Sequence, residues 1–276
     1  MGKHQKQLVG NVEIHCLQDT WMKLPPTDVF PDTDWSAFGE FLDEEGRITL
    51  NSACWLLRSQ GQTMLVDTGF GGRPTEFPIL ETPSLPAILA ELSVKPTDID
   101  LVLFTHLHFD HTGWNTVDEG GKPTPLFPNA RHVMQQKDWD FWIKDENLEL
   151  GQAPTNLLPI EEAGLLDLVA GEHVVNSEIV TVPLPGHTPG HVGFAIASGG
   201  ERAYILGDAA HHPAQVTMTD WPCGFDIDPS DSGMSRHRIL DRIEQEGALM
   251  AVNHFSHPGF GHARREGGRR RFVPIT

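Results

Sequence analysis

Short apolar runs with a period of two alternate along this chain with a few stretches of helical period. The runs "SACWLLR" (52–58) and "TMLVD" (63–67) are joined through "SQGQ", which predicts a hairpin. Residues 6–17, "KQLVGNVEIHCL", predict a first strand. "TPSLPAILAELSV" (82–94) predicts a helix with Ser84 near its N-cap and Pro86 in its first turn. It leads into "DIDLVLFTH", a buried strand over Leu101 to Phe104. "ARHVMQQKDWDFW" predicts a short strand entering a helix, with Trp139 and Trp142 facing the core. "EIVTVPLPGHTPGHVGFAIAS" and "RAYILGDAAHH" predict strands with turns, "SRHRILDRIEQEG" a helix closed by Gly247, and "ALMAVNHF" a last strand. Strands and helices mix without strict βαβ alternation, so the expected α/β architecture is two sheets with helices outside.

Between the early strands, residues 20–50 form an excursion rich in Pro, Asp and aromatics: Trp21, Phe30, Trp35, Phe38 and Phe41. A connection this long is either a lid or binding wall, or its rings patch the core or a dimer contact. No repeat or low-complexity linker divides the chain, so one domain over 1–276 is expected.

Composition narrows the function. Lys and Arg number 20 against 38 Asp and Glu, a net charge of −18, which repels nucleic acid phosphates. The local exception, "HARREGGRRRF" (262–272), is expected to be a solvated hairpin or tail. Cys16, Cys54 and Cys223 are odd in number and far apart, which fits a reducing compartment without disulfides. The first residues lack the apolar core of a signal peptide, and no apolar run approaches the roughly 18 residues of a membrane span. A cytoplasmic protein without membrane partners is therefore expected.

The chemistry begins at "THLHFDHTG" (105–113), at the C-terminal end of the buried strand. In an extended segment, alternate side chains share a face, so His106 and His108 can reach one ion. Once the chain turns, Asp110 and His111 can swing toward a second position. Imidazole and carboxylate suit zinc and other first-row cations. Four side chains are too few for two closed sites. Three partners stand at later strand ends: His187 in "PLPGHTPGH", Asp208 in "YILGDAA", and His254 in "MAVNHFSHPGFGH".

This ordered set resembles the metallo-β-lactamase superfamily, from about residue 50 to 275. "HLHFDH" matches its H-x-H-x-D-H motif, and "PGHTPGH", "LGDAA" and "NHFSHPG" match its later ligand segments. "LVDTG" (65–69) matches its Asp-x-Gly turn. The resemblance implies a four-layered αββα sandwich and two divalent metals, zinc first, with manganese, cobalt or iron as alternatives. It implies that His106, His108 and His187 hold one metal, that Asp110, His111 and His254 hold the other, and that Asp208 bridges them. Asp67 resembles the family's carboxylate behind the ligands. His191 is expected to be structural, and His257 competes with His254 for the last position.

The activity implied is hydrolysis of a lactone, carboxylic ester or phosphotriester by a metal-bridging hydroxide, with Asp110 as a proton acceptor. Within the superfamily the tail and "LGDAAHH" are most similar to the methyl parathion hydrolase and quorum-quenching lactonase subgroup. The lactonases carry a tyrosine three residues after the bridging aspartate. Here His211 stands there, either orienting substrate or lying on the rim, and the only tyrosine is Tyr204. The aromatics of 20–50 and Trp114 are expected to wall an apolar pocket for a neutral, partly hydrophobic substrate. The resemblance also suggests a homodimer. A glyoxalase-II-like thioesterase shares the ligand set but calls for basic residues near the metals. An iron-dependent oxidoreductase on this fold needs fewer ligands or a flavodoxin partner domain.

Overall fold

A computed structural model describes residues 4–275. Two seven-stranded sheets face each other. The first runs in the spatial order His4–Val9, Val12–Leu24, Ile48–Ser59, Gln62–Val66, Leu101–Leu103, Arg131–Gln135 and Leu166–Val169. Its early pairs are antiparallel and its last three parallel. The second runs sequentially from Val174–Asn176 to Arg269–Pro274, with one parallel pair between Glu201–Ile205 and Leu249–Ala251.

Period-two alternation builds the layers. On the strand Ile48–Ser59, Ala53, Trp55 and Leu57 point between the sheets and meet Phe194, Ile196, Ile205 and Phe260. Cys54 and Leu56 point outward, under the helices Leu85–Glu91 and Gln136–Trp142. In the second sheet Ala203 and Ile205 face inward, while Tyr204 and Leu206 meet the helix Pro229–Glu246. Helix, sheet, sheet and helix follow in that order, which is the expected αββα sandwich.

Several predicted elements shift. Residues 6–17 are not one strand but a hairpin, because Gly10 and Asn11 form a two-residue turn with Gly10 at φ +55°. The predicted hairpin at Gln60–Gly61 forms, with both residues at positive φ. The helix expected from Ser235 starts earlier, at Pro229, where the Asp228 side chain accepts from the Asp231 N–H. It ends at Gly247 in the left-handed conformation. The arginine-rich tail is a hairpin, with Arg265 and Arg270 paired to Glu244. The three cysteines are buried and free.

Asp19 is the extra residue of a β-bulge, since Gln18 pairs with Ala53 and Thr20 with Ser52. Bulges re-aim side chains. The buried Asp19 carboxylate accepts from the backbone N–H groups of Phe70 (2.8 Å), Ser84 (2.7 Å) and Leu85 (2.7 Å), and from Trp114 Nε1 (3.0 Å). It thereby caps the helix whose N-cap position Ser84 occupies, as the sequence predicts.

Strand pairing runs through Leu24 and resumes at Ile48, so the excursion is shorter than 20–50. Its rings make a satellite core: Phe30, Trp35 and Phe38 pack with Trp221. They do not wall the main cavity, which corrects the binding-wall expectation. Trp114 likewise turns away, onto Asp19 and the outer core.

Two outcomes check this core. Trp35→Ala should cost about 3–5 kcal/mol in chemical denaturation, whereas a mobile lid residue would cost well under that. His212 packs among Phe30, Trp35 and Phe41, and burial pushes its pKa from 6.5 down to about 3. The unfolded chain therefore takes up this proton first. Stability from this group is full above pH 6.5 and falls as the pH drops toward 3. His212→Asn, which keeps an acceptor for the Ala214 N–H, should flatten the acid limb of stability against pH.

Candidate metal centre

The parallel strand Leu101–Leu103 ends in a coil carrying His106 and His108, followed by the short helix Phe109–Thr112 with Asp110 and His111. The loop after Ile179–Pro183 carries His187, the turn after Glu201–Ile205 carries Asp208, and the segment after Leu249–Ala251 carries His254. All these strand ends open at one edge of the sandwich. Two hydrogen bonds tie them together: Val192 N–H to Thr105 O at 2.8 Å and Leu206 N–H to Ala251 O at 2.9 Å. Gly207 adopts φ +52°, and a Cβ there would lie 2.6 Å from Thr105 Cβ, so only glycine lets Asp208 approach the first loop.

Two groups of side chains result. His106, His108, His187 and Asp208 form one; Asp110, His111 and His254 form the other. His108 Nδ1 lies 2.9 Å from both His106 Nε2 and His187 Nε2. Asp208 Oδ2 lies 3.2 Å from His187 Nε2 and 3.0 Å from His254 Nε2. Its Oδ1 is 3.3 Å from His111 Nε2. Asp110 Oδ2 lies 3.8 Å from His111 Nε2 and 3.7 Å from His254 Nε2. Thus all seven residues expected from the sequence lie together. His257 does not join them; its ring nitrogen sits 3.7 Å from Cys16 Sγ.

The donor set fits cations. Buried His111 Nε2 and Asp208 Oδ1 have no hydrogen-bond partner, although such atoms cost about 1–3 kcal/mol when left unsatisfied. Burial and the neighbouring imidazoles hold His106 and His108 well below the usual imidazole range, keeping their lone pairs free for a metal. Burial also lowers His187, but Asp208 and Asp226 outweigh it and lift it to about 9.

Four of the five histidines have the other ring nitrogen held. His111 Nδ1 faces Asp67 Oδ2 at 2.9 Å, His187 Nδ1 faces Asp226 Oδ1 at 2.9 Å, and His254 Nδ1 faces Asn51 O at 2.7 Å. His106 Nδ1 lies 3.0 Å from Thr105 Oγ1. His108 instead packs edge-on against Trp142, with centroids 5.2 Å apart. Asp67 also accepts from Thr105 and from Asn253 Nδ2. His191 Nε2 accepts the Asp208 N–H at 3.0 Å, so it braces the backbone there. Nothing in the sequence points to Asp226, Asn253 or the Asn51 carbonyl, since no periodicity or motif marks them.

A cavity of about 410 Å³ opens on these groups. Phe70, Phe77, Phe109, Phe141, Trp142 and Phe225 supply its rings, and among the described residues no lysine or arginine lines it. Trp142 therefore has two roles, core and wall, where only the core was expected. His211 reaches the cavity, with Nε2 3.3 Å from Asp208 Oδ2 and no hydrogen bond on either ring nitrogen. Tyr204 is elsewhere, donating to Glu246 Oε2 at 2.6 Å.

Removing the carboxylate behind His187 should loosen the cluster's hold on a cation. Asp226→Ala should weaken divalent-cation binding about 10–100-fold in chelator competition, with the fold retained.

Known proteins place the chain in a family. The model of the metallo-beta-lactamase superfamily matches residues 47–254, more than half of the chain. An N-acyl homoserine lactonase of Bacillus thuringiensis is 24% identical over 237 residues, covering 80% of this chain and 88% of that protein. One from Bacillus cereus is 26% identical over 238 residues, with the same coverage. Among solved structures, the hydrolase AbOPH aligns with TM-score 0.87 at 21% identity, covering 100% of this chain and 98% of that one. AidC, a dizinc quorum-quenching lactonase, aligns at 0.84 and 22%, covering 99% and 97%. No helix among the described residues is long and apolar enough to cross a membrane. The chain belongs to the metallo-beta-lactamase superfamily and is a metal-dependent hydrolase.

Proposed function

We propose that the protein opens lactones or cleaves carboxylic esters that are neutral and largely apolar, at a pair of divalent cations, zinc first. The observation that carries this reading is the seven-residue cluster, five of whose members, His108, Asp110, His187, Asp208 and His254, line an otherwise apolar cavity. His106, His108 and His187 would hold one cation, and Asp110, His111 and His254 the other. Asp208 would serve both, because its carboxylate lies against His187 of one group and against His111 and His254 of the other. Bound there, the cations supply a water acidic enough to attack near neutral pH and a Lewis acid for the acyl oxygen.

The chain's own residues do the rest. Six aromatic rings and Met22, Leu24, Leu50 and Leu150 bind the apolar parts of the substrate and keep bulk water out. The Asp110 carboxylate stands at the cavity edge, where it can take a proton and pass it to the leaving oxygen. His211, which lines the cavity with its Nε2 3.3 Å from Asp208 Oδ2, is placed to act on a substrate oxygen, the task that a tyrosine at this position would perform. The lactonase relatives support the lactone half of the reading. A glutathione thioester finds no cationic side chain in the wall.

Metal analysis should give two equivalents per chain. In a rate comparison, lactones and aryl or alkyl esters should outpace phosphotriesters and thioesters. Two bound metals with no turnover on any of these would end the proposal. His108→Ala and Asp208→Ala should each cut turnover by orders of magnitude in folded protein. His211→Gln should lower kcat by about 10²-fold with little change in metal content.

A further inference from the structure

Arg236 is an unusual residue to find inside a helix that packs on a sheet. It is 1% exposed and lies on the inward face of Pro229–Glu246. A buried guanidinium is tolerated only when its donors are taken up. Here Nε donates to Ala209 O at 2.9 Å, Nη1 to Trp221 O at 2.6 Å and Thr219 O at 3.4 Å, and Nη2 to Ser232 Oγ at 3.2 Å. Nη2 also lies 3.8 Å from Asp226 Oδ2.

These partners are not scattered at random. Ala209 directly follows Asp208. Asp226 holds His187 Nδ1 at 2.9 Å through its other oxygen, and its Oδ2 accepts the Cys223 N–H at 3.2 Å. Trp221 and Thr219 belong to the segment leading into Asp226. One rigid fork thus gauges the spacing between the turn that carries Asp208 and the carboxylate that orients His187. The Asp226 side chain is fully buried, and Arg236 is the cation facing it from the adjoining helix. Arg236 thus adds a fixed positive charge to the His187 ring and the Cys223 N–H that already face this carboxylate.

We infer that Arg236 is a positioning residue for the metal centre: it fixes Asp226 behind His187 and the backbone after Asp208 in a single register. This rests on the proposed assignment of His187 and Asp208 as ligands. Arg236 touches neither substrate nor metal, and its effect passes through the geometry of the His187 ring.

Cobalt(II) binding to metal-stripped protein reads this directly, through visible absorption and chelator competition. Arg236→Met should weaken cobalt binding about tenfold and shift the visible bands. Arg236→Lys, which keeps charge but loses the fork, should fall between it and the wild type. The double variant Asp226→Ala/Arg236→Met should lose less affinity than the two single losses combined, because the two residues share the branch through Asp226 and His187. Ile88→Ala, which disturbs the far outer helix, should lower stability and leave the cobalt spectrum unchanged. Folded Arg236 variants with wild-type affinity and spectrum would overturn the inference, as would losses that add in the double variant. If Arg236→Met does not fold, Arg236→Lys with the Asp226 pair carries the comparison. A wild-type chain that takes up no cobalt sinks the dinuclear reading itself and this inference with it, whereas normal wild-type uptake with indifferent variants sinks only the inference.

Discussion

A single buried carboxylate organises this molecule's chemistry. Asp208 is 3% exposed, and five imidazoles surround it: its Oδ2 lies 3.0 Å from His254, 3.2 Å from His187, 3.3 Å from His211 and 3.7 Å from His106, and its Oδ1 3.3 Å from His111. Hydrogen bonds alone cannot satisfy so many nitrogen lone pairs pointed at one another. Cations between them can, and the lost desolvation of each polar group is then recovered. The rest of the fold brings these atoms to one place. Neither sheet could do so alone, since His106 to His111 come from the first and His187, Asp208 and His254 from the second.

That convergence demands rigidity behind each ring. Asp67 takes hydrogen bonds from Thr105, His111 and Asn253, and Asn253 in turn accepts from Trp55 Nε1 at 2.9 Å. Trp55 stands in the core between the sheets. A path of direct contacts therefore runs from the packing of the sandwich to the His111 ring of the cluster. Asp138 plays a parallel part on the other side: its carboxylate accepts from Leu107 N–H, Thr188 Oγ1 and Gly190 N–H, clasping the loops that carry His106 and His187. Burial raises its pKa to about 6 even against these three donors. Such braces are why a site drawn from distant strands can hold its geometry.

What the sequence made legible follows from where information is local. The apolar runs at 52–58 and 63–67 exposed the hairpin, and strand-end histidines exposed the cluster. The cluster was legible because His106, His187, Asp208 and His254 each come shortly after an apolar strand. Asp226 and Arg236 were not legible. Asp226 sits in an irregular loop, and Arg236 has the local signature of any helix arginine; only tertiary packing makes them partners. The satellite core of Phe30, Trp35 and Phe38 was undecidable for a similar reason. Aromatic composition signals burial, but the surface that buries these rings, around Trp221, lies far along the chain. The bulge at Asp19 depends on register, which no local pattern encodes.

Fold membership leaves the substrate open, and the superfamily's name is no guide to it. Charge is a better one. With a net charge of −18, the protein attracts metal cations and slows the approach of anions such as penicillin carboxylates or nucleic acid phosphates. An anion that did arrive would meet phenylalanine, tryptophan and leucine, with no arginine or lysine to receive it. Such a wall desolvates an anion without offering its charge a partner, which costs free energy. A neutral acyl compound meets the opposite balance, because the wall gains from its apolar surface while the polar floor receives only the oxygens that react. On the proposed reading, selectivity arises from what the cavity lacks as much as from what it holds.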